Sequence, residues 1–255
     1  MEVLIAMGIF TVGFVAVAAI FPSAILLQKR TIQNIESDQV AMNVKGLVGG
    51  RPYDAADLNA EFGNPPPVAD QDRVLPANPG VANGVWDHWP LSQRVYLAEF
   101  AANGTPAEAD YFWVPLFVYD SGGGSWTAYV FVLRRDPVAD YPNDAPDIDD
   151  ATAFPDTANA NDGPTVPKVD LYRATNGSGL SFDLANAEDL LAPGDVLLIG
   201  EDPVSNATVR VVDGNRVTVN SVVPRGPFDV WLATPAEKGS PNPARAIVVI
   251  EGITP

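Results

Sequence analysis

The sequence predicts an α+β fold, with a long N-terminal α-helical stem packed on an antiparallel β-sheet head and an additional C-terminal β-rich lobe, a small sandwich or barrel. Three observations predict it. Val3 to Leu27 is a run of 25 uncharged residues, continued by a stretch of helical periodicity to Val48. Two aromatic, β-branched runs then come one after the other across a Gly-rich turn, and from Val169 onward short β-branched runs recur with turn residues between them. These patterns divide the chain into the stem (1–48), the head (49–136), an acidic Pro/Asp-rich loop (137–167) and the lobe (168–255).

The stem comes first. At ~1.5 Å per residue, a helix over Val3–Leu27 reaches ~37 Å, more than the ~30 Å of bilayer hydrocarbon. A secretory signal peptide does not fit, because no Lys or Arg precedes Lys29 and no small-residue cleavage box follows Ala24. A plain membrane anchor explains the apolarity but leaves Glu2 unexplained, since a carboxylate at the edge of a spanning segment is costly without a partner. Lys29 and Arg30 lie on the wrong flank for an N-in orientation if the chain starts here, so the pattern predicts a basic segment upstream. Beyond Lys29 the apolar residues Ile32, Ile35, Val40, Val44, Leu47 and Val48 recur at helical spacings, predicting an amphipathic second half that packs on a folded head. Gly49-Gly50 ends the helix and Pro52 prevents its resumption. Gly13 and Pro22 interrupt the first half: Pro22 cannot donate to the carbonyl of Ala18 and crowds it, which predicts a kink or local unwinding between them.

The segment Met1-Glu2-Val3-Leu4-Ile5-Ala6-Met7-Gly8-Ile9-Phe10 resembles the start of a type IV pilin or type II secretion pseudopilin. Glu2 takes the place of the near-terminal glutamate of that family, while the leader, the glycine at the cleavage point and the first three residues of the usual mature chain have no counterpart here. The resemblance covers about the first 48 residues. It implies a structural subunit that polymerises through its helix into a type IV pilus-like filament, with copies of itself as partners. Glu2, Val3, Leu4, Ile5, Ile9, Phe10 and Phe14 would then form the assembly surface, and Glu2 would set axial register by pairing with a neighbour's free amino terminus. The Gly13-to-Pro22 segment would lose helicity on assembly. The resemblance also implies a bacterial cell-surface location, reached from an inner-membrane-anchored precursor through prepilin peptidase, N-terminal methylation and a pilus or secretion assembly machinery. A secretion-system pseudopilin shares every motif. A minor tip or priming subunit fits less well, because such subunits often lack the glutamate, and a membrane-tethered binding or hydrolytic domain is the reading from another class.

Composition bounds the rest. The formal net charge is −17, and residues 1–48 hold three basic and three acidic residues, so the surplus belongs entirely to residues 49–255. Such a surface repels nucleic acid and anionic lipid, so no nucleic-acid partner is expected. The absence of Cys excludes disulfides and thiol chemistry. Residues 51–110 read as loop, rich in Pro, Ala, Asn and Asp. Tyr111–Tyr119 and Trp126–Leu133 predict a β-hairpin closed by Gly122–Gly124, with Pro115 pointing to an edge position or a bulge, and Trp113, Phe117, Tyr129 and Phe131 as core. In the acidic loop, Asp144, Asp147, Asp149 and Asp150 offer hard oxygen ligands suited to calcium, although their spacing matches no EF-hand and a solvated loop needs no metal. No other cofactor is expected.

The lobe is predicted as strands at Val169–Arg173, Asp195–Gly200, Thr208–Val212, Arg216–Val222, Asp229–Ala233 and Ala246–Glu251, with a tight turn at Asp213-Gly214-Asn215. Sequons at Asn103, Asn176 and Asn206 predict exposed loops or turns. His88 is the only histidine, too little for a triad or a three-ligand metal site, and no Gly-rich loop precedes a helix in the manner of a phosphate cradle. The chain is read as a structural protein, not an enzyme.

Overall fold

The computed structural model describes residues 2–50, 58, 60, 62–63, 74–76, 95–96, 99–100, 106–108, 111–120, 124–134, 169–200, 204–233 and 243–253. The contact pattern separates two compact units, Met1–Gln39 and Val40–Pro255.

The expected α+β class is overturned. Among the described residues the chain is mostly β-strand, and its C-terminal part closes into a six-stranded barrel. The expectation of a long stem lying on a sheet fails as well. Helix α1 (Glu2–Gly49) forms, but only its end from Val40 onward belongs to the β-rich unit. The packed apolar face is shorter than the periodicity of 29–48 predicts, because Ile32 and Ile35 are exposed, and the buried apolar residues Val40, Val44 and Val48 recur at intervals of four. Gly50 N–H donates to the Gly46 carbonyl at 3.0 Å to close the last turn, and a Cβ at Gly50 would lie 2.5 Å from that same oxygen, so the stop requires glycine.

The first sheet is antiparallel. Strands β5 (Tyr111–Asp120) and β6 (Ser125–Arg134) form the hairpin, in one unbroken register from Tyr111↔Arg134 to Asp120↔Ser125. On the far side of β5, β1 (Val74–Pro76) pairs with 116–118 and β2 (Val95–Tyr96) pairs with 111–112. Pro115 is not on a bulge: it faces Val130 in the unbroken ladder, and on the other side of β5 it falls between the residues paired with β1 and with β2, an edge position among the described residues. A separate two-stranded piece pairs β3 (Glu99–Phe100) with β4 (Pro106–Glu108).

The lobe is a closed antiparallel barrel with neighbour order β10-β11-β8-β7-β12-β9. Its elements are β7 (Val169–Ser178), β8 (Ser181–Asp183), the four-residue helix α2 (Ala187–Leu190), β9 (Val196–Ile199), β10 (Ser205–Asp213), β11 (Arg216–Val219) and β12 (Gly226–Ala233). The chain then leaves it, and β13 (Ala244–Ile253) returns to pair with β6 in the first sheet. The barrel is thus an insertion between two neighbouring strands of that sheet, and the stretch expected as one lobe, 168–255, serves two sheets.

Alternation along the strands explains how the layers pack. Residues of one parity on β5 and β6, Tyr111, Trp113, Phe117, Trp126, Ala128, Val130 and Val132, form a core with Val40, Val44 and Val48. The other parity, Phe112, Val114, Leu116, Phe131 and Leu133, meets the outer barrel residues Val169, Leu198, Trp231 and Ala233. The four aromatics expected as core are buried, Trp113 and Phe117 on the first face and Tyr129 and Phe131 on the second. Inside the barrel, Phe182, Leu197, Ile199, Val217, Phe228, Val230 and Leu232 fill the space, with the Phe182 and Phe228 rings edge-to-face at 5.3 Å.

Candidate assembly surface

A helix that is apolar on every side has no solvent face of its own and exists buried in protein or in lipid. Helix α1 starts that way, with no charge between Val3 and Leu27. The described side chains Val3 (74 %), Met7, Phe10 (74 %), Phe14 (65 %), Phe21, Ile25, Ile32 and Ile35 are all exposed. At ~100° per residue they fall within an arc of roughly 80°, and along the axis they extend over ~48 Å. Gln28 is the one described polar side chain on that arc, and it carries no charge. The surface is aromatic near its start, the Phe10 and Phe14 rings being stacked with centroids 6.5 Å apart. Thr11 does not break its character, since its hydroxyl donates to the Met7 carbonyl at 2.8 Å and is satisfied within the helix.

Chemically this surface can do one thing well, which is to be covered. Each large side chain transferred from water contributes about 1.5–3 kcal/mol. Recurrence every three or four residues along one arc is the pattern by which one helix seats in the groove of another. Among the described residues no helix is long and apolar enough to cross a membrane, most side chains of Val3–Leu27 lying outside the described set.

The expected site residues divide. Val3, Phe10 and Phe14 lie on the exposed arc. Glu2 is the first residue of α1, and its side chain, with those of Leu4, Ile5 and Ile9, lies outside the described residues. In the single chain, helix α1 runs through both Gly13 and Pro22. Asp144, Asp147, Asp149, Asp150, His88 and Asn103 lie outside the described residues. Among those described, no group of three or more His, Cys, Asp or Glu could hold a metal ion.

The other two sequons sit in strands, not in loops or turns. Asn176 occupies β7 with φ 52°, and its amide donates to Asp183 Oδ2 at 2.7 Å; Asn206 is exposed on β10, opposite Leu198. The sequence signal could not separate these cases, because Asn suits a left-handed residue inside an irregular strand as well as it suits a turn.

Three charged arrangements escaped sequence reading. Asp183 accepts from Asn176 and from Arg216 Nη1 at 2.9 Å, and these two hydrogen bonds hold its carboxyl below the usual carboxylate range. Arg216 also donates to Ser181 Oγ at 2.8 Å, tying β11 to β8, while Arg173 and Asp229 pair across β7 and β12. Asp195 is the opposite case, a buried acid pushed up to about 6 by desolvation, against the Ala192 N–H and Arg245, which favour its charged form. Its Pro193-Gly194 context announces a turn but not the burial of its acid.

No family profile, no curated protein and no solved structure matches the chain.

Proposed function

We propose that the chain is a structural subunit that polymerises through helix α1 into an extracellular, type IV pilus-like filament. The observation that carries this reading is the ~48 Å exposed apolar arc on a helix whose first half has no polar side to turn to water. A tether would need only length and apolarity. The continuation of exposed Ile32 and Ile35 past the charged pair Lys29-Arg30 favours a helical partner over lipid alone. Glu2 supports the same reading, because a carboxylate set among apolar residues needs an opposite charge, which a neighbouring subunit's amino terminus supplies.

The test is negative-stain microscopy of material sheared from the surface of cells expressing the chain, with N-terminal sequencing of the major band. Filaments built from this chain, lost in Glu2→Ala, are the expected result. A monodisperse particle that stays in detergent micelles at every concentration overturns the reading.

A further inference from the structure

At Asn176-Gly177, strand β7 carries one residue more than either of its neighbours. Against β8, Thr175 faces Asp183 and Ser178 faces Ser181, so Asn176 and Gly177 share Phe182 as their opposite. Against β12, Ala174 faces Phe228 and Gly177 faces Gly226, which leaves Thr175 and Asn176 opposite Pro227. The extra residue makes a bulge, and Asn176 occupies it with φ 52°, a conformation that Gly and Asn adopt more readily than other residues. The bulge thus sets an exposed Asn directly before a Gly. In that dipeptide the side-chain amide is most open to attack by the next backbone nitrogen, because no Cβ shields it.

We infer that Asn176 is a deamidation site gated by opening of the seam between β7 and β8. In the closed seam Asn176 Nδ2, the atom that must leave, donates to Asp183 Oδ2 at 2.7 Å, and Arg216 Nη1 donates to Asp183 Oδ1 at 2.9 Å and holds that carboxylate in place. Gly177 is buried, and a Cβ on it would strike the Pro224 carbonyl oxygen, so the backbone has no room to turn. The carboxamide reaches across to β8 and is kept from folding back along its own strand. Once the seam opens, the Gly177 nitrogen attacks Asn176 Cγ. The N–Cγ bond forms, the Cγ–Nδ2 bond breaks, and ammonia leaves with the Gly177 amide proton. Water then opens the five-membered imide at one carbonyl or the other, giving aspartate or isoaspartate, so that one water is consumed for each ammonia released.

Neither product fits the closed seam. Aspartate sets a carboxylate where a donor met Asp183, two like charges at hydrogen-bond distance. Isoaspartate adds a methylene to the backbone between two ladders, beneath the Pro224 carbonyl. The reaction runs one way, so the site records how often the seam has opened. The inference is independent of how α1 is covered.

The test follows the Asn176 peptide by mass spectrometry in the full chain in detergent micelles at mildly alkaline pH, folded and in urea. The unfolded chain is expected to deamidate there at least about tenfold faster than the folded one, and Asp183→Ala should raise the folded rate by about tenfold, the equivalent of one hydrogen bond to a charged group. Arg173→Ala breaks the neighbouring pair with Asp229 across β7 and β12, leaves Asn176 anchored, and should keep the parental rate. Asn176→Asp supplies one product directly and reads out even if Asp183→Ala does not fold. Its urea midpoint should lie below the parent's at neutral pH and approach it as pH falls and the carboxyls protonate. Equal rates in the folded and unfolded chain, an Asp183→Ala rate no faster than that of Arg173→Ala, or an Asn176→Asp protein as stable as the parent at neutral pH overturns the inference.

Discussion

The Asp195 carboxylate accepts the Ala192 N–H at 2.6 Å while the residue is only 5 % exposed. The same turn is closed from the other direction by Asp195 N–H, which donates to the Ala192 carbonyl at 3.1 Å, and Gly194 occupies it with φ 99°. The acid thus completes the hydrogen bonding at the entry to β9, and desolvation opposes its charge.

This arrangement makes stability depend on pH. With a folded value of about 6 against about 3.9 when unfolded, the native state binds the proton more tightly. The stabilisation is complete below pH ~4 and is lost as pH rises through about 6. Asp195→Asn keeps an acceptor for Ala192 and removes the buried charge. It is expected to be more stable than the parent at pH 7 to 8 by roughly 2–3 kcal/mol, with the difference gone at pH 4. Thermal unfolding of both proteins from pH 4 to 8 checks this, and parallel profiles would contradict it.

Asp183 carries the opposite sign. Its carboxyl is held low by Asn176 and Arg216, so the stabilisation exists above the unfolded value and disappears as pH falls through the folded one. Replacement by Asn should flatten the acid arm of the unfolding profile below about pH 4 and leave the arm between pH 5 and 7 unchanged. The group is half-exposed, so salt should shrink the effect, and melting at low and high ionic strength measures that.

The hairpin was legible because Tyr111–Asp120 and Ser125–Arg134 are buried on both faces, and such strands read as continuous aromatic and β-branched runs. The barrel strands were legible for the same reason at Val196–Ile199 and Phe228–Ala233. The class was not. A 48-residue helix reads as half of an α+β protein until it is seen that its contribution to the core of the β-rich unit comes from its last turns, through Val40, Val44 and Val48, and Ile32 and Ile35 have no sequence mark that separates a core face from an exposed one. β8, of three residues, is shorter than any periodicity can register. The return of β13 to β6 across the whole barrel depends on which edge is open, and hydrophobic pattern does not encode that. Of the candidate surface on α1, composition supplied the apolar run, while the exposed arc reaching Ile35 required the exposures.

If copies of α1 cover one another, the arc sets the assembly threshold. Phe14→Ala removes a ring that would contribute about 2 kcal/mol per subunit on burial, so the concentration needed for filaments should rise roughly ten- to hundredfold. Leu180→Ala trims an exposed leucine on the barrel and should leave the threshold where it was. Sedimentation of assembled material against total concentration gives both numbers. Equal thresholds for the two variants would show that the arc is covered by something other than another subunit.

Gly177 tests the barrel's tightest backbone approach. It lies in β7 opposite Gly226 of β12, and a Cβ there would stand 2.1 Å from the Pro224 carbonyl oxygen and 2.7 Å from Phe228 Cε1. The ring could turn, but its edge-to-face partner Phe182 holds it, and the carbonyl belongs to the chain entering β12. Neither neighbour yields without moving backbone. Gly177→Ala should therefore cost more than the ~1–3 kcal/mol usual for overpacking, and denaturant melts should show a lower midpoint with unchanged slope. Gly124→Ala separates this cause from simple backbone strain: Gly124 has φ 64° and open space around its missing Cβ, so its cost should stay near ~1 kcal/mol. A Gly177→Ala protein no less stable than Gly124→Ala would mean that β7 and β12 can separate at Pro224 without loss, and that closure of the barrel at this seam contributes little to its stability.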